Sequence, residues 1–239
     1  MGLTDYGQKN SAQDHARRVR EMFARISPRY DLLNHVLSAN IDTRWRRRVV
    51  RKLQPHLGPE RRVLDVGCGT GDLSVALFEK SAAQVVGIDF CRPMLQLAQA
   101  KAPRLRFIEG DALQLPFSDA AFDCVTVAFA LRNLASVELG LAELRRVLKP
   151  GGWLAILEFS QPTVPVIRQV VRFYYRRLLP WIGGLLSGLR SAYEYLPDSI
   201  SKFPDQQRLA SMMRSTGFES VEFENLSGGI AAIHTGRRR

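Results

Sequence analysis

The apolar positions in the first part of the chain recur at helical spacing. Between residues 13 and 53 they lie mostly three or four positions apart, at Val19, Met22, Phe23, Ile26, Leu32, Leu33, Val36, Leu37, Trp45, Val49, Val50 and Leu53. The pair Ser27-Pro28 interrupts this pattern, because the residue before a proline disfavours the helical conformation. The pattern therefore predicts two or more helices with a break near Pro28, followed by a linker over residues 55–60.

From residue 61 onward, short apolar runs alternate with helical patterns. The runs predict strands over residues 62–66, 84–89, 105–109, 122–128, 153–158, 219–224 and 230–234. The helical patterns cover residues 72–80, 92–101, 137–148 and 205–216. Repeated strand–helix alternation predicts an α/β fold whose mostly parallel sheet is covered by helices on both faces. Gly228-Gly229, between the last two strands, predicts an antiparallel C-terminal hairpin.

Residues 162–204 break this alternation and predict a helical insertion that acts as a lid. The stretch combines basic and apolar residues with the aromatic side chains Phe173, Tyr174, Tyr175, Trp181, Tyr193 and Tyr195. We expect one domain over residues 1–239. Its parts are a helical cap (1–58), a ligand-binding core (61–160), the insertion (161–204) and a C-terminal helix with the hairpin (205–239).

The composition is typical of a globular protein that can bury a core. Of the 239 residues, 46% are hydrophobic and 24% are charged. No apolar stretch approaches the roughly 20 residues that a membrane-spanning helix needs, and residues 1–10 lack the pattern of a signal peptide. The three cysteines show no CxxC spacing. We therefore expect a cytoplasmic protein without a disulfide framework or a metal site.

Positive charge is concentrated in three segments. The net charge is +11, from 34 basic and 23 acidic residues. The excess lies in residues 15–52, in the arginine-rich stretch 164–192 and in the last three residues. A basic face of this kind suits nucleic acid, an anionic membrane or an acidic substrate, and it equally suits a solvated surface.

The strongest local motif is a glycine-rich loop after the first predicted strand. The run VLDVGCGTGD (63–72) has Asp65 inside the strand and Gly67, Gly69 and Gly71 between the strand and a helix. Glycine is needed where the backbone approaches a ligand closely or adopts a positive φ. In an open α/β sheet, the crevice at the carboxyl ends of the strands, where such a loop lies, binds a nucleotide. Asp89, which ends the next strand, stands where a carboxylate binds both ribose hydroxyls.

The position of Asp72 favours a nucleoside without phosphates. Asp72 occupies the third glycine position of a GxGxxG motif, and its carboxylate would compete with a pyrophosphate for the helix N-terminus. NAD and FAD are therefore disfavoured. The cationic groups of S-adenosylmethionine suit a site with Asp65, Asp72 and Asp89. Asp111-Ala112, after the third strand, is placed to meet the adenine.

At these residues the chain resembles class I S-adenosylmethionine-dependent methyltransferases, and it resembles the UbiE/MenG quinone-biosynthesis C-methyltransferases much more closely. The resemblance covers about residues 20–236. It rests on the segments YDLLNHVLS (30–38), AFALRN (128–133), RVLKPGG (146–152) and YEYLPDSISKFP (193–204). It implies a Rossmann-like class I methyltransferase fold with a mostly parallel seven-stranded sheet.

The resemblance also implies cofactor contacts, which fall by position on Thr70, Asp89, Asp111 and Ala112. A further contact of the family, often a serine, falls on Ala128, which offers only its backbone. Ala130 stands where the family motif usually has glycine, so its methyl group narrows the expected pocket.

The implied activity is methyl transfer from S-adenosylmethionine to a ring carbon of a reduced prenylated quinone, with S-adenosylhomocysteine as product. Demethylmenaquinol is the expected acceptor, and ubiquinone precursors, phylloquinone precursors and small aromatics stay open. The sequence shows no separate RNA-binding module and no Asn/Asp-Pro-Pro-Tyr motif, which disfavours an RNA methyltransferase. The intact glycine loop disfavours a non-catalytic cofactor-binding protein.

A quinol hydroxyl has a pKa of about 10, so the protein must help to remove its proton. The candidate side chains are Asp31, His35, Arg132, Asn133, Tyr193 and Tyr195. We expect Arg132 to stabilise the developing phenolate and His35 or Tyr195 to relay the proton. A helix cap, an ion pair or core packing is the alternative role of these side chains.

The long apolar tail of such an acceptor lies in a bilayer. Residues 164–189 mix apolar and aromatic side chains with several arginines, which is typical of an interfacial amphipathic helix and also fits a dimer surface or a lid. We expect a lid with peripheral contact to the inner face of the membrane. No nucleic-acid partner is expected, and a homodimer stays open.

Overall fold

The computed structural model describes residue 14 and residues 17–32, 38, 40–174 and 190–239. Within these residues the strands are β1 (Arg62–Val66), β2 (Gln84–Asp89), β3 (Arg106–Glu109), β4 (Phe122–Ala128), β5 (Leu148–Phe159), β6 (Phe218–Leu226) and β7 (Ala231–Arg238). They form one seven-stranded sheet in the order β3-β2-β1-β4-β5-β7-β6.

The first five strands pair in parallel, and β7 lies antiparallel between β5 and β6. This confirms the predicted mostly parallel sheet with a C-terminal hairpin. The strand order reverses between β1 and β4, so a crevice opens at their carboxyl ends. Ligands of open α/β sheets bind at such a reversal.

Helices pack on both faces of the sheet. Helix α1 covers residues 17–26, and the others are α2 (Ile41–Leu53), α3 (Asp72–Ser81), α4 (Arg92–Lys101), α5 (Val137–Val147), α6 (Pro165–Phe173), α7 (Arg190–Lys202) and α8 (Gln206–Ser215). Side chains cap two of them: Ser136 accepts from the N–H of Leu139 at the start of α5, and Asp205 accepts from that of Arg208 at the start of α8. Such caps satisfy backbone donors that a helix leaves unpaired.

The core has one layer on each face of the sheet. On one face, the buried side chains of α5, such as Leu141 and Leu144, pack on β5, and those of α8, such as Met213, pack on β6 and β7. On the other face, the apolar stripe of α2 packs on β5 and on α3, and that of α3 packs on β2, with Trp45 and Leu77 among the buried side chains. The helical periodicity of the sequence thus marks the faces that are buried.

The predicted break at Pro28 is confirmed, because Ser27–Arg29 forms a single 3₁₀ turn after α1. Residues 17–32, which include this turn, are called the N-terminal helical segment below. The turn between β6 and β7 is also confirmed: Ser227–Gly229 forms a 3₁₀ turn in which Gly228 has a φ of 70°.

Strand β5 begins five residues earlier than predicted. Leu148 pairs with Phe122, and the register then shifts before Trp153 pairs with Cys124. Residues 149–152, which lie between the predicted helix and the predicted strand, instead form an irregular stretch inside the strand, where Gly151 has a φ of +78°. Turn-forming residues also occur at strand irregularities, so the sequence alone does not separate the two.

The insertion contributes two helices, α6 and α7, as its composition predicted. Among the described residues, none of the helices combines the length and the apolar character needed to cross a bilayer.

Candidate functional site

The glycine loop runs from β1 towards the segment that follows β4. The N–H groups of Gly67 and Cys68 donate to the carbonyl of Ile88 at 2.8 and 3.1 Å, which fixes the loop to the end of β2. Gly67 has a φ of +66°, and a Cβ there would lie only 2.2 Å from the Cβ of Ala130. Glycine is therefore required at position 67 for its conformation and for space.

Asp89 is held at the end of β2 by backbone donors. Its Oδ2 accepts from the N–H of Gly69 at 2.9 Å, and its Oδ1 accepts from the N–H of Cys91 at 2.8 Å. Burial raises the pKa of Asp89, although these hydrogen bonds act in the opposite direction. The carboxylate is thus oriented by the loop itself.

A cavity of about 370 Å³, called the loop cavity here, lies at the carboxyl ends of β1, β2 and β4. Six of the predicted cofactor residues line it: Gly67, Gly69, Asp89, Asp111, Ala112 and Ala128. The side chains of Arg20, Phe23 and Tyr30, from the N-terminal helical segment, form another wall. An adenosyl group fits a space of this size that is lined by carboxylates, by glycine backbone and by aromatic rings.

Three predicted cofactor residues, Asp65, Thr70 and Gly71, do not line this cavity. The two carboxylate oxygens of Asp65 accept from the hydroxyls of Ser74 at 2.6 Å and Thr126 at 2.8 Å. Burial raises the pKa of Asp65 to about 6. Asp65 therefore ties β1 to α3 and β4 behind the glycine loop.

Thr70 contacts Asp31, a residue that we predicted to be catalytic. The Thr70 hydroxyl donates to Asp31 Oδ1 at 2.5 Å, and the ammonium of Lys101 lies 2.7 Å from Asp31 Oδ2. Lys101 also reaches Asp72 Oδ1 at 2.6 Å. Asp31 thus belongs to a polar cluster beside the glycine loop.

A second, larger space of about 1080 Å³, called the groove here, adjoins the loop cavity. Leu134 and Ala135 line both spaces. Arg132 and Tyr195, two of the predicted catalytic residues, line the groove. Asn133 lines the loop cavity. Residues 132–135 therefore form the partition between the two spaces.

Arg132 forms a buried ion pair with Glu158. Its Nη1 donates to Glu158 Oε1 at 2.7 Å and to the carbonyl of Phe129 at 2.6 Å. The side chains are only 7% and 2% exposed. Burial raises the pKa of Glu158, and the nearby Arg132 charge opposes this shift. Phe129 itself has a φ of 59°, a strained conformation of the kind that occurs at functional sites.

The hydroxyl of Tyr195 donates to Asn133 Oδ1 at 3.1 Å and so joins α7 to the partition. Burial raises the pKa of Tyr195, so the phenol stays protonated at neutral pH and acts as a hydrogen-bond donor. This arrangement brings together three of the predicted catalytic residues, Arg132, Asn133 and Tyr195. His35 and the side chain of Tyr193 lie outside the described residues.

Sequence reasoning missed Glu158, Lys101 and the cavity-lining side chains of α1. A carboxylate in the otherwise apolar run of β5 was a usable signal, because a buried charge requires a partner. No comparable signal marked Lys101. In the part of the chain that the structure describes, no group of three or more His, Cys, Asp or Glu side chains could hold a metal ion.

The sequence model of the ubiE/COQ5 methyltransferase family matches residues 10–238. The demethylmenaquinone methyltransferase of Thermus thermophilus is 51% identical, over 91% of this chain and 100% of the relative. That of Deinococcus radiodurans is 49% identical over 95% of each chain. The ubiquinone/menaquinone biosynthesis C-methyltransferase UbiE of Citrifermentans bemidjiense is 44% identical, over 92% of this chain and 96% of the relative.

Solved structures share the fold at lower identity. A Thermotoga maritima protein described as an S-adenosylmethionine-dependent methyltransferase and possible histamine N-methyltransferase superposes with a TM-score of 0.64 and 19% identity, over 92% of this chain and 99% of that one. The [4+2]-cyclase SpnF superposes with a TM-score of 0.66 and 19% identity, over 93% and 96% of the two chains. These likenesses support the fold, and the chemistry has to be argued from the site.

Proposed function

The chain belongs to the ubiE/COQ5 methyltransferase family, and on this premise we propose that it transfers the methyl group of S-adenosylmethionine to a ring carbon of a reduced prenylated quinone. The proposed reaction converts demethylmenaquinol to menaquinol, as the names of the relatives from Thermus thermophilus and Deinococcus radiodurans suggest. A ubiquinone precursor is the second candidate acceptor, because other relatives carry the UbiE name. A phylloquinone precursor is a third.

One observation carries this proposal: the loop cavity and the groove meet at residues 132–135. Methyl transfer needs the acceptor carbon, the methyl group and the sulfur roughly in line, so the spaces that bind cofactor and acceptor must adjoin. The loop cavity suits the adenosyl group, and the adjoining groove of about 1080 Å³ has room for a quinol ring.

The residues of the loop cavity divide the binding of the cofactor between them. We assign Asp89 to the ribose hydroxyls and Asp111 to the adenine amine, with Ala112 leaving room for the ring. When bound, S-adenosylmethionine supplies an electrophilic methyl group. Gly67 and Ala130 bring two backbone segments close together at one wall of the cavity, and this contact limits the space beside the cofactor.

Arg132 is proposed to stabilise the negative charge that develops on the quinol oxygen. The ion pair with Glu158 and the bond to the Phe129 carbonyl hold the guanidinium in place before the acceptor arrives. Such preorganised groups stabilise a developing charge without reorganisation during the reaction. Lowering the pKa of the hydroxyl in this way makes the neighbouring ring carbon more nucleophilic.

Tyr195 is proposed to orient the quinol and to relay its proton, taking it on the phenol oxygen while the phenol's own proton passes to solvent in the groove. Its hydroxyl lies at the partition and donates to Asn133 at 3.1 Å. Because its pKa is raised, Tyr195 does not act as the base that finally accepts the proton. That role is left for solvent in the groove or for His35.

We also propose peripheral contact with an anionic membrane through α6. Val166, Val170 and Phe173 form one stripe of this helix and are 69%, 62% and 59% exposed. Ile167, on another side of α6, lies against Gly228 and anchors the helix. The neighbouring residue Ser227 accepts a hydrogen bond from Trp45, so α2 lies beside the same turn.

Helix α2 adds positive charge to this region, because it exposes Arg44, Arg47 and Arg51 at helical spacing. Apolar and basic side chains together suit anionic lipid. Flotation with phosphatidylglycerol vesicles should be weakened by Val170→Glu and unchanged by Leu139→Glu, which alters an equally exposed leucine of α5. Equal flotation of both variants and the wild type would remove the membrane part of the proposal.

The remaining parts of the proposal concern organisation. We propose that residues 1–58 cap the core over 61–160, that 161–204 form the lid, and that 205–239 complete the sheet. The protein would act at the inner face of the membrane, where its acceptor resides, and its oligomeric state is to be measured on the purified enzyme.

An anaerobic assay with methyl-labelled S-adenosylmethionine tests the reaction. Demethylmenaquinol, a demethylated ubiquinol precursor and bulk RNA are offered in parallel. Label in one quinol supports the proposal and identifies the ring, whereas label only in RNA overturns it. Arg132→Lys should reduce quinol turnover roughly tenfold to a hundredfold with unchanged cofactor binding. The control Arg61→Lys alters an ion pair with Asp123 at the amino ends of β1 and β4, away from the site, and should leave quinol turnover unchanged.

A further inference from the structure

The N-terminal helical segment forms a wall of the loop cavity and must be held against it. Arg20, Phe23 and Tyr30 line that wall. The guanidinium of Arg20 stands 5.7 Å above the ring of Phe90, and a ring carbon of Tyr30 is 4.0 Å from where a Cβ on Gly69 would lie. A ligand in the cavity is thus enclosed between the glycine loop and this segment.

One cluster of charged side chains ties the end of this segment to the glycine loop. The ammonium of Lys101 lies 2.7 Å from Asp31 Oδ2, 2.6 Å from Asp72 Oδ1 and 3.4 Å from the Thr70 hydroxyl. Asp31 belongs to the N-terminal helical segment, whereas Thr70 and Asp72 belong to the loop and to α3. Lys101 therefore bridges the two sides of the cavity from a third element, α4.

The environment of Lys101 keeps it charged and leaves the bridge breakable. Partial burial opposes the charge, but hydrogen bonds and attraction from Asp31 and Asp72 outweigh it and raise the pKa of Lys101. The side chains of Lys101, Asp31 and Asp72 are 32%, 35% and 24% exposed. Ion pairs with this much solvent contact are weak and can open reversibly.

We propose that Lys101 is a positioning residue that latches the N-terminal helical segment over the bound cofactor. Its bridge to Asp31 and Asp72 has to open for S-adenosylmethionine to enter and for S-adenosylhomocysteine to leave. The proposal rests on the proposed function only in taking the loop cavity as the cofactor site. Lys101 touches neither cavity in the structure, so it acts through the segment that it holds.

The test compares Lys101→Met with the conservative variant Lys101→Arg and the control Lys149→Met. Lys149 makes a partly exposed ion pair with Asp123 at 2.9 Å, near the amino ends of β4 and β5 and away from the loop cavity. Binding of S-adenosylmethionine is measured by calorimetry, and release of labelled S-adenosylhomocysteine is measured by displacement. Neither measurement needs an acceptor, so both are independent of quinol methylation.

Lys101→Met should raise both the Kd of S-adenosylmethionine and the release rate of S-adenosylhomocysteine by about three- to thirtyfold. Without the two ion pairs, the N-terminal helical segment spends less time in the closed arrangement that holds the cofactor. Lys101→Arg should keep the Kd and the release rate close to the wild-type values, and Lys149→Met should change each value less than about twofold. Adding Asp31→Asn to Lys101→Met should change the Kd and the release rate little further, since Asp31 and Lys101 belong to the same bridge.

The latch is overturned if Lys101→Met keeps both values within twofold of the wild type, if only the Kd changes, or if Lys149→Met has the same effect. If the wild type binds S-adenosylmethionine but methylates no quinol, the proposed acceptor fails while the latch still stands or falls on these binding data. A wild type that does not bind S-adenosylmethionine overturns both proposals.

Discussion

Removing Glu158 should destabilise the protein strongly, because it leaves the charge of Arg132 buried. Glu158→Ala takes away the carboxylate that lies 2.7 Å from Arg132 Nη1. The Arg132 side chain is 7% exposed, and its Nε has no hydrogen-bond partner among the described residues. The Phe129 carbonyl then remains as the acceptor for Nη1, which satisfies one donor and leaves the charge without a counterion.

The size of the effect follows from the burial of the pair. Breaking a buried ion pair by removing one partner costs about 3–5 kcal/mol. In a chain of this length, each kcal/mol lowers the melting temperature by about 2–4 °C. Glu158→Ala should therefore lower the Tm by roughly 6–20 °C.

Two further variants control for the location and for the charge. Glu224→Ala removes a carboxylate of β6 that pairs with Arg48 and Lys52 near the surface. Because each such pair is worth about 0.2–1 kcal/mol, this variant should lower the Tm by roughly 1–8 °C. The double variant Arg132→Met/Glu158→Leu should recover most of the stability, since apolar residues replace a buried pair at little cost. It should not recover quinol methylation.

Differential scanning calorimetry, together with the quinol assay on the same samples, measures both properties. The reasoning is refuted if Glu158→Ala melts no lower than Glu224→Ala, because the pair would then not be buried in solution. It is also refuted if the double variant methylates quinol at the wild-type rate, because Arg132 would then have no part in the reaction.

Three other perturbations test separate contacts. Because burial raises the pKa of Asp65 from 3.8 to about 6, the folded state binds the extra proton between these values, and stability should fall as pH rises through this range. Between pH 7 and pH 4, the free energy of unfolding of the wild type, measured in urea, should rise by up to roughly 3 kcal/mol relative to that of Asp65→Asn. A difference between the two proteins that does not change with pH would contradict this. Tyr195→Phe loses the hydrogen bond to Asn133. It should lower kcat roughly a hundredfold and leave the Kd of S-adenosylmethionine unchanged. An unchanged kcat would show that Tyr195 has no part in the mechanism. Gly67→Ala should lower both the stability and the cofactor affinity, because its Cβ would lie 2.2 Å from that of Ala130. Ala130→Gly in the same chain should restore part of both. If it restores neither, the positive φ alone explains why glycine is needed at position 67.

Local sequence patterns were sufficient to predict most of the sheet and the loop cavity. Strand β1, the glycine loop and Asp89 follow one another in the chain, and parallel pairing brings their ends to one edge. The positions of Gly67, Asp89 and Asp111 in the cavity therefore follow from strand order and local conformation. The irregular start of β5 was missed, because the same Pro-Gly residues form turns and bulges.

The polar contacts between distant segments could not be read from the sequence. Asp31 and Lys101 are 70 positions apart, and nothing in either local pattern selects the other as partner. The catalytic role of Asp31 stays a prediction, and the contact that the structure gives this residue is with Thr70 and Lys101. Glu158 was the more predictable case, since a carboxylate within an apolar strand requires a cation nearby.

A single-turnover experiment tests the central claim most directly, namely that one chain holds the cofactor and the quinol in adjoining spaces. The purified enzyme is loaded with methyl-labelled S-adenosylmethionine and mixed anaerobically with excess demethylmenaquinol. We expect labelled menaquinol and S-adenosylhomocysteine in equal amounts, close to one of each per cofactor bound. Cofactor that stays intact beside the quinol, or a label that appears on an oxygen rather than on a ring carbon, would contradict it.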